Sequence, residues 1–207
     1  MTDSIVIKPL TPDLAEAYVQ FFDVTPHDDG SAKDELPCYC VTWRSDAAYA
    51  ENGDHWFPTR EERRARAIEY VKAGHLQGYL AYLGGEIVGW CNANADCQAC
   101  LGFLRTVWPM GAQDPSVKVK PVFCFMIAPK AQKMGVATKL LSRVCEDAAR
   151  EGFDFVEAYA YEEGKVPPYD FRGPVALYER LGFDKYAEKD GFVVMRKGLK
   201  GCLHDGD

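Results

Sequence analysis

Apolar and polar positions along this chain follow periods that predict a mixed α/β protein. Short runs rich in β-branched and aromatic residues predict strands at residues 5–7, 79–83, 86–91, 122–128, 155–161, 183–186 and 192–196. Amphipathic stretches predict helices that begin near residues 11, 59, 136 and 174. The predicted order is therefore β-α-α-β-β-β-α-β-α-β-β, which indicates one α/β (α+β) domain.

Local signals support three of these elements. The spacing Thr59-x-x-Glu62 predicts a capping box at the start of a helix. The pair Gly84-Gly85 predicts the two-residue turn of a β-hairpin. The helix over 136–150 carries one apolar stripe, formed by Val136, Leu140, Leu141, Val144 and Ala148.

The segment Gln132–Ala137 joins the apolar run at 122–128 to that amphipathic helix. It contains Gly135 and the small residue Ala137. The first turn of a helix exposes N–H groups at the positive end of its dipole, and these groups favour an anion. A strand, a Gly-containing turn and a helix therefore predict a phosphate-binding loop here.

Composition narrows the class of protein. The chain has 207 residues and a formal net charge of −7. This charge argues against nonspecific nucleic-acid binding, which needs a basic surface, and is compatible with a cationic partner. The sequence shows neither an apolar run of the roughly 18 residues that cross a bilayer nor a signal peptide. We therefore expect a cytoplasmic protein with no membrane partner.

Two close cysteine pairs raise the question of a metal site. Cys38 and Cys40 form one pair, and Cys97 and Cys100 form the other. Four thiolates can hold zinc, but the Cys-x-Cys spacing and the lack of a nearby histidine fit a zinc site poorly. The sequence favours reduced, mostly buried thiols, and we expect no metal.

Two motifs resemble those of the GNAT superfamily of N-acetyltransferases. The hexapeptide at 132–137 resembles the Gln/Arg-x-x-Gly-x-Gly/Ala loop that holds the pyrophosphate of coenzyme A in that family. The segment Leu177–Phe183 resembles the family's Leu-Tyr-x-x-x-Gly-Phe motif, about forty residues further along the chain. The resemblance implies a single GNAT-like domain over 1–207, with a mixed, mostly antiparallel central sheet flanked by helices.

The resemblance also implies acetyl-coenzyme A as co-substrate, bound by a core at about 120–183. In the family, the strand before the loop splays from its neighbour and its backbone pairs with the pantetheine arm. That role would fall to Met126 and Ile127, and Lys133 or Lys139 would add a charged contact. The pyrophosphate would lie on the loop residues Gln132, Lys133, Met134, Gly135, Val136, Ala137 and Thr138.

The candidate catalytic residues are Tyr178, which the resemblance implies, and Glu157, which is chosen from this sequence. The family's tyrosine commonly gives a proton to the departing thiolate, a role that suits a phenol. The strand at 122–128 lacks the carboxylate that many members carry there and has Cys124 instead. Glu157 on the neighbouring strand is then the candidate base, and a structural ion pair is its alternative. Cys124 could carry an acyl group, but a buried apolar role is favoured.

Two further regions depart from the family pattern or vary within it. Phe171 stands where many members have a coenzyme-contacting asparagine, which leaves Arg172 and Arg180 as candidate phosphate contacts or surface charges. The irregular segments at about 23–57 and 92–117 are expected to wall the acceptor site. Their aromatic or ionisable candidates, which could equally pin the loops to the core, are Trp43, His55, Trp56, Arg105 and Trp108.

The function that these expectations imply is acetyl transfer from acetyl-coenzyme A to a primary amine. The acceptor would be a small molecule or a peptide, and the amine would attack the thioester directly. Two alternatives stay open: a non-catalytic coenzyme A-binding sensor or interaction module, and an acyltransferase that uses a longer acyl-coenzyme A. Family members are often dimers, so a homodimer is also open.

Overall fold

The computed structural model describes residues 4–25, 38–41, 43, 59–94, 116–162, 164 and 171–199. The strands are β1 Val6–Pro9, β2 Gly78–Leu83, β3 Glu86–Asn92, β4 Val119–Val122, β5 Cys124–Ile127, β6 Phe155–Tyr161, β7 Asp184–Lys189 and β8 Phe192–Gly198. The helices are α1 Ala15–Val24, α2 Arg60–Lys72, α3 Val136–Arg150 and α4 Val175–Glu179. The predicted mixed α/β order is confirmed. Within the described ranges, no helix is long and apolar enough to span a bilayer.

The local signals act as the sequence predicts. At the start of α2, the Thr59 hydroxyl accepts from the Glu62 N–H at 3.2 Å, and the Thr59 N–H donates to the Glu62 carboxylate at 3.1 Å. Gly84 and Gly85 turn the hairpin with φ of 59° and 85°, a conformation that glycine adopts without strain. The predicted apolar stripe of α3 is buried along its whole length.

The strands form two four-stranded sheets. The first has the order β1-β2-β3-β5, and the second has the order β4-β6-β8-β7. Strands β4 and β6 run parallel, whereas the other paired strands run antiparallel. The mixed, mostly antiparallel sheet is therefore confirmed, divided into two halves with helices packed on them.

The two halves meet where one run of chain changes its partner. The strand predicted at 122–128 is broken at Phe123, into β4 before it and β5 after it. Val122 is the last residue of β4 and pairs with Ala158 of β6, whereas Cys124 opens β5 and pairs with Asn92 of β3. Beyond Val122, the chain therefore leaves β6 and pairs with β3 instead.

The first sheet packs on both faces. Alternation along β3 directs Trp90 to a cluster with α1 and α2, and Cys91 to a cluster with α3. Full burial of each large apolar side chain in these clusters contributes about 1.5–3 kcal/mol. Gly89 lies under α3, and a Cβ there would come within 2.8 Å of the Val136 side chain. This close approach holds the first turn of α3 against β3, just beyond the end of β5.

Candidate functional site

The first turn of α3 has N–H groups that no capping side chain occupies. Gly135 is the N-cap, has a φ of 82°, and makes no side-chain capping bond. The N–H of Lys139 donates to the Gly135 carbonyl at 3.0 Å and is the first to join the helical ladder. The amides of the preceding first-turn residues point out of the helix end. The helix end is thus open to an outside acceptor, whereas in α2 the side chains of Thr59 and Glu62 fill this place.

The loop before this turn is solvent-exposed and carries positive charge. Gln132, Lys133, Met134 and Gly135 are exposed, and Lys139 lies on the exposed side of the first turn. Exposed lysines beside a positive helix end favour an anion of the phosphate type. The structure thus brings together all seven loop residues that the sequence predicted, from Gln132 to Thr138.

Strand β5 does not pair with the second half of β6, and we call the gap between these two strands the cleft. Among the described strands, β5 pairs with β3, and residues 159–161 of β6 pair with β8. The N–H of Ala128 donates to Val88 of β3 at 2.9 Å, so by alternation Met126 also faces β3. The backbone groups of Phe125 and Ile127 then face the cleft. Of the two strand residues predicted from the sequence, Ile127 borders the cleft, and Phe125 is an additional one.

A short segment crosses this cleft, and we call residues Phe171–Pro174 the strap. The carbonyl of Phe171 accepts a hydrogen bond from the Phe125 N–H at 2.6 Å. Pro174 forms an isolated parallel bridge with Tyr161 of β6. The strap therefore joins the two walls where their own pairing has ended.

Arg172 anchors the strap to the second sheet. Its guanidinium lies 4.7 Å from the centroid of the Tyr161 ring and 5.1 Å from that of Phe192, and it donates to the Tyr161 hydroxyl at 3.2 Å. Arg180, the other candidate phosphate contact, is exposed and its Nε donates to the Ala176 carbonyl at 3.1 Å. In this conformation, the nearest partners of both arginines are protein groups.

Tyr178 lies beside the cleft with its ring fully buried. Its ring centroid is 6.5 Å from that of Phe125 on β5 and 5.4 Å from that of Phe183. Its hydroxyl donates to the carbonyl of Arg172 in the strap. The predicted proton donor is therefore next to the cleft, and its proton is engaged by the strap.

Glu157 forms the ion pair that was the alternative to its role as base. The carboxylate is 2% exposed. One oxygen accepts from the Arg196 guanidinium, with Nε at 2.9 Å, and the other accepts from the Tyr159 hydroxyl at 2.5 Å. Aromatic rings lie beside this ion pair, since the Arg196 guanidinium also lies 5.1 Å from the Phe155 ring centroid. The role of Glu157 as the general base stays a prediction.

Three cysteines meet on the α1 and α2 side of the first sheet. The Sγ atoms of Cys40 and Cys124 are 2.9 Å apart, and Cys38 lies beside Cys40. Burial raises the pKa of Cys40 well above its ordinary value. The hydrogen bond with Cys40 lowers the pKa of Cys124, but burial together with the charges of the Cys38 and Cys91 thiols outweighs it, and the net shift is upward. Protonated, buried thiols are poor nucleophiles, so Cys124 is unsuited to carry an acyl group.

The described residues contain no group of three or more histidine, cysteine or acidic side chains placed to hold a metal ion. Cys97 and Cys100 of the second cysteine pair lie outside these residues. The same is true of four of the five acceptor-wall candidates, which are His55, Trp56, Arg105 and Trp108.

Trp43, the remaining acceptor-wall candidate, stacks on the residue where the strand breaks. Its ring lies parallel to that of Phe123, with centroids 4.7 Å apart, and Phe123 lies 6.1 Å from Tyr159 in the same orientation. The Trp43 carbonyl also accepts from the side chain of Asn92 at 3.2 Å. No signal in the sequence singles out Asn92, because its partner is 49 residues away and no local pattern links the two.

The sequence and fold of this chain are similar to those of known proteins. The model of the acetyltransferase (GNAT) family matches residues 38–183. No curated protein matches the chain. Among solved structures, the GNAT domain of S. lividans PAT is 16% identical, with 95% of this chain and 96% of that one covered and a TM-score of 0.54.

Two other solved structures are similar over most of their length. The putative acetyltransferase yncA from Salmonella typhimurium, with its cofactor acetyl-CoA, is 15% identical, with 98% of both chains covered and a TM-score of 0.51. A GNAT-family acetyltransferase from Streptococcus pneumoniae is 18% identical, with 94% and 99% covered and a TM-score of 0.52. At these identities, the similarity shows the fold.

Proposed function

Because the chain belongs to the acetyltransferase (GNAT) family, we propose that it transfers an acetyl group from acetyl-coenzyme A to a primary amine. The amine would belong to a small molecule or a peptide. The observation that supports this most is the uncapped first turn of α3, held just beyond the end of β5 and the adjoining cleft. An anion-binding helix end beside a strand edge suits a long ligand with phosphates at one end and an amide-bearing arm.

The residues present fit acetyl-coenzyme A, which supplies the activated acetyl group as a thioester. The N–H groups from Lys133 to Thr138 would hold the pyrophosphate, with Gln132 at the start of the loop and Lys139 close by. The cleft-facing backbone groups of Phe125 and Ile127 would pair with the pantetheine arm, as a neighbouring strand would.

Tyr178 is the proposed proton donor for the leaving group. In the reaction, the amine nitrogen forms a bond to the thioester carbon, the carbon–sulfur bond breaks, and the sulfur takes the hydroxyl proton of Tyr178. The amine gives up its own proton to a base, for which Glu157 acting through water is the candidate. A backbone N–H of β5 would stabilise the charge that develops on the carbonyl oxygen.

This function requires the strap to move. Two of its carbonyls accept hydrogen bonds: that of Phe171 from the Phe125 N–H, and that of Arg172 from the Tyr178 hydroxyl. These donors are the two groups that the proposal assigns to the arm and to the leaving thiolate. Binding of the donor substrate would therefore exchange the strap's contacts for its own.

The second candidate function is a coenzyme A-binding module without catalysis. Two observations favour it: β5 carries no carboxylate, and the hydroxyl of Tyr178 is already bonded within the protein. The remaining alternative is an enzyme of the same kind that uses a longer acyl-coenzyme A as its donor substrate.

One set of assays separates these candidates. Free thiol release from acetyl-, propionyl- and hexanoyl-coenzyme A is followed with a thiol reagent, across a panel of primary amines. Mass spectrometry then identifies the acylated amine. Transfer from acetyl-coenzyme A supports the proposal. Tight binding of coenzyme A by calorimetry, with no transfer to any amine, would instead establish the module.

A further inference from the structure

Asn92 carries a polar atom that the fold leaves without a partner. Its side chain is fully buried at the end of β3, and its Nδ2 donates to the Trp43 carbonyl at 3.2 Å. Within the described part of the chain, its Oδ1 is the buried side-chain atom for which no hydrogen-bond donor is found. A buried acceptor that has lost water and gained no donor is unfavourable. This oxygen is therefore a favourable place for a donor from outside the chain.

Asn92 lies at the closed end of the cleft. The Phe123 N–H donates to its carbonyl at 3.0 Å, and its backbone pairs with Cys124. The preceding pair along the broken strand, Val122 with Ala158, is the last between this strand and β6. The unpartnered oxygen thus belongs to a residue at the point where β5 and β6 diverge, which we call the fork.

Stacked aromatic rings lie next to this residue. Trp43 contacts Asn92 through its carbonyl and stacks on Phe123, which in turn lies parallel to Tyr159 across the fork. Trp43 is partly exposed, so it is the contact of Asn92 nearest to solvent. Aromatic faces attract cations, and an amide oxygen attracts N–H groups. An amine that bears N–H groups satisfies both.

We propose that Oδ1 of Asn92 accepts a hydrogen bond from the amino group of the acyl acceptor, which rests against Trp43 and Phe123. This assignment rests on the proposed transferase function and deepens it, because it adds a residue that positions the attacking nitrogen. An amine with an N–H to donate fits the site, whereas a fully substituted ammonium group leaves the oxygen unpaired.

A matched pair of ligands tests the hydrogen bond directly. Phenethylamine and its N,N,N-trimethyl analogue both carry a positive charge and a ring, but the analogue has no N–H. Calorimetry on the full chain should show phenethylamine binding roughly tenfold or more tightly than the analogue. Because Oδ1 is buried beside Trp43, an amine that reaches this oxygen should also change the tryptophan emission. Equal affinity for the two ligands, or no binding of phenethylamine, overturns the proposal.

Variants assign the preference to Asn92. Asn92→Leu should bind the two ligands alike, whereas Asn92→Asp, which keeps an acceptor oxygen, should retain the preference for phenethylamine. Both variants lose the bond from Nδ2 to Trp43, so an equal loss in both would show a structural role and overturn the proposal. The control is Asn94→Leu, because Asn94 is equally buried and donates to the His75 carbonyl at 2.8 Å. It should keep the preference.

The outcomes also separate this inference from the proposed function. Asn92→Leu should raise the KM for a transferred amine roughly tenfold and leave the KM for acetyl-coenzyme A unchanged. Transfer with an unchanged amine KM in this variant would overturn the role of Asn92 and leave the transferase standing. If the protein prefers the ligand with N–H groups but transfers acetyl to no amine, Asn92 still binds an amine and the proposed transferase function is refuted. If Asn92→Leu does not fold, the ligand pair on the unmodified chain still decides the question.

Discussion

Replacing Tyr178 with phenylalanine separates a catalytic role of its hydroxyl from a structural one. The ring packing against Phe125 and Phe183 stays in place, and the hydrogen bond to the Arg172 carbonyl is removed. The partly buried carbonyl then lacks this donor, which costs an amount at the lower end of about 1–3 kcal/mol. For a domain of this size, we expect the melting temperature to fall on the order of 5 °C.

The catalytic consequence of this substitution should be much larger than the structural one. General-acid catalysis contributes about 10²–10⁴-fold, and a thiolate is a good leaving group, so we expect a fall in kcat of about 10²-fold. The affinity for coenzyme A should be retained, because the hydroxyl is assigned to the leaving group and makes no contact with the pyrophosphate loop. Thiol release gives kcat, calorimetry gives the affinity, and a thermal melt gives the stability.

Tyr79→Phe is the matched control. Tyr79 belongs to the same apolar cluster, is similarly buried, and its hydroxyl contacts Asp147 of α3 away from the cleft. This variant should lose stability to a comparable degree and keep full turnover. If Tyr178→Phe also keeps full turnover while its melting temperature falls, the hydroxyl only holds the strap, and the assignment of Tyr178 as proton donor is refuted.

Three further predictions follow from the described contacts. Gly135→Ala should weaken coenzyme A binding in calorimetry, because a left-handed residue with a Cβ costs about 1–2 kcal/mol; Gly152→Ala at the other end of α3 also has a positive φ and open space, so it should lose stability and keep the affinity. Glu157→Gln should lower the free energy of unfolding by up to about 3–5 kcal/mol, since it leaves the Arg196 guanidinium, which is only 12% exposed, without a counter-charge. The absence of any loss of stability in urea would contradict a structural ion pair. Burial raises the pKa of Asp23, but bonds from Tyr39 and arginines outweigh it and lower the pKa overall. The stabilisation by this carboxylate is therefore full above its unfolded pKa of about 4 and is lost below it, so melts should show Asp23→Asn and the unmodified protein converging as the pH falls below about 4.

Elements that depend on near neighbours could be predicted from the sequence. The capping box of α2 needs residues 59 and 62 only, and the hairpin turn needs the two glycines at 84 and 85. The stripe of α3 and the uncapped turn at Gly135 are also local. The exposed loop and helix start at 132–139 could therefore be predicted, since they are built from consecutive residues, and anion binding there stays a prediction.

The cleft depends on contacts between distant residues, and the sequence predicted it only through the family resemblance. The apolar run at 122–128 has the pattern of one continuous strand, and its break at Phe123 depends on which partner lies on each side. Asn92 looks like an ordinary strand end until Trp43 occupies its amide nitrogen and leaves its oxygen unpaired. Periodicity describes which face a residue takes, and it cannot describe which polar atoms find partners.

The strap links the two halves of the site. The donor substrate that the proposed function places on α3 must also reach β5, and there it meets the carbonyl of Phe171. The neighbouring carbonyl, at Arg172, engages the hydroxyl of Tyr178. Because consecutive residues hold the strand edge and the proposed acid, release of one is coupled to release of the other. Tyr178 would then become available only where the pantetheine arm has already displaced the strap, so the acid is kept from acting before the thioester is in place.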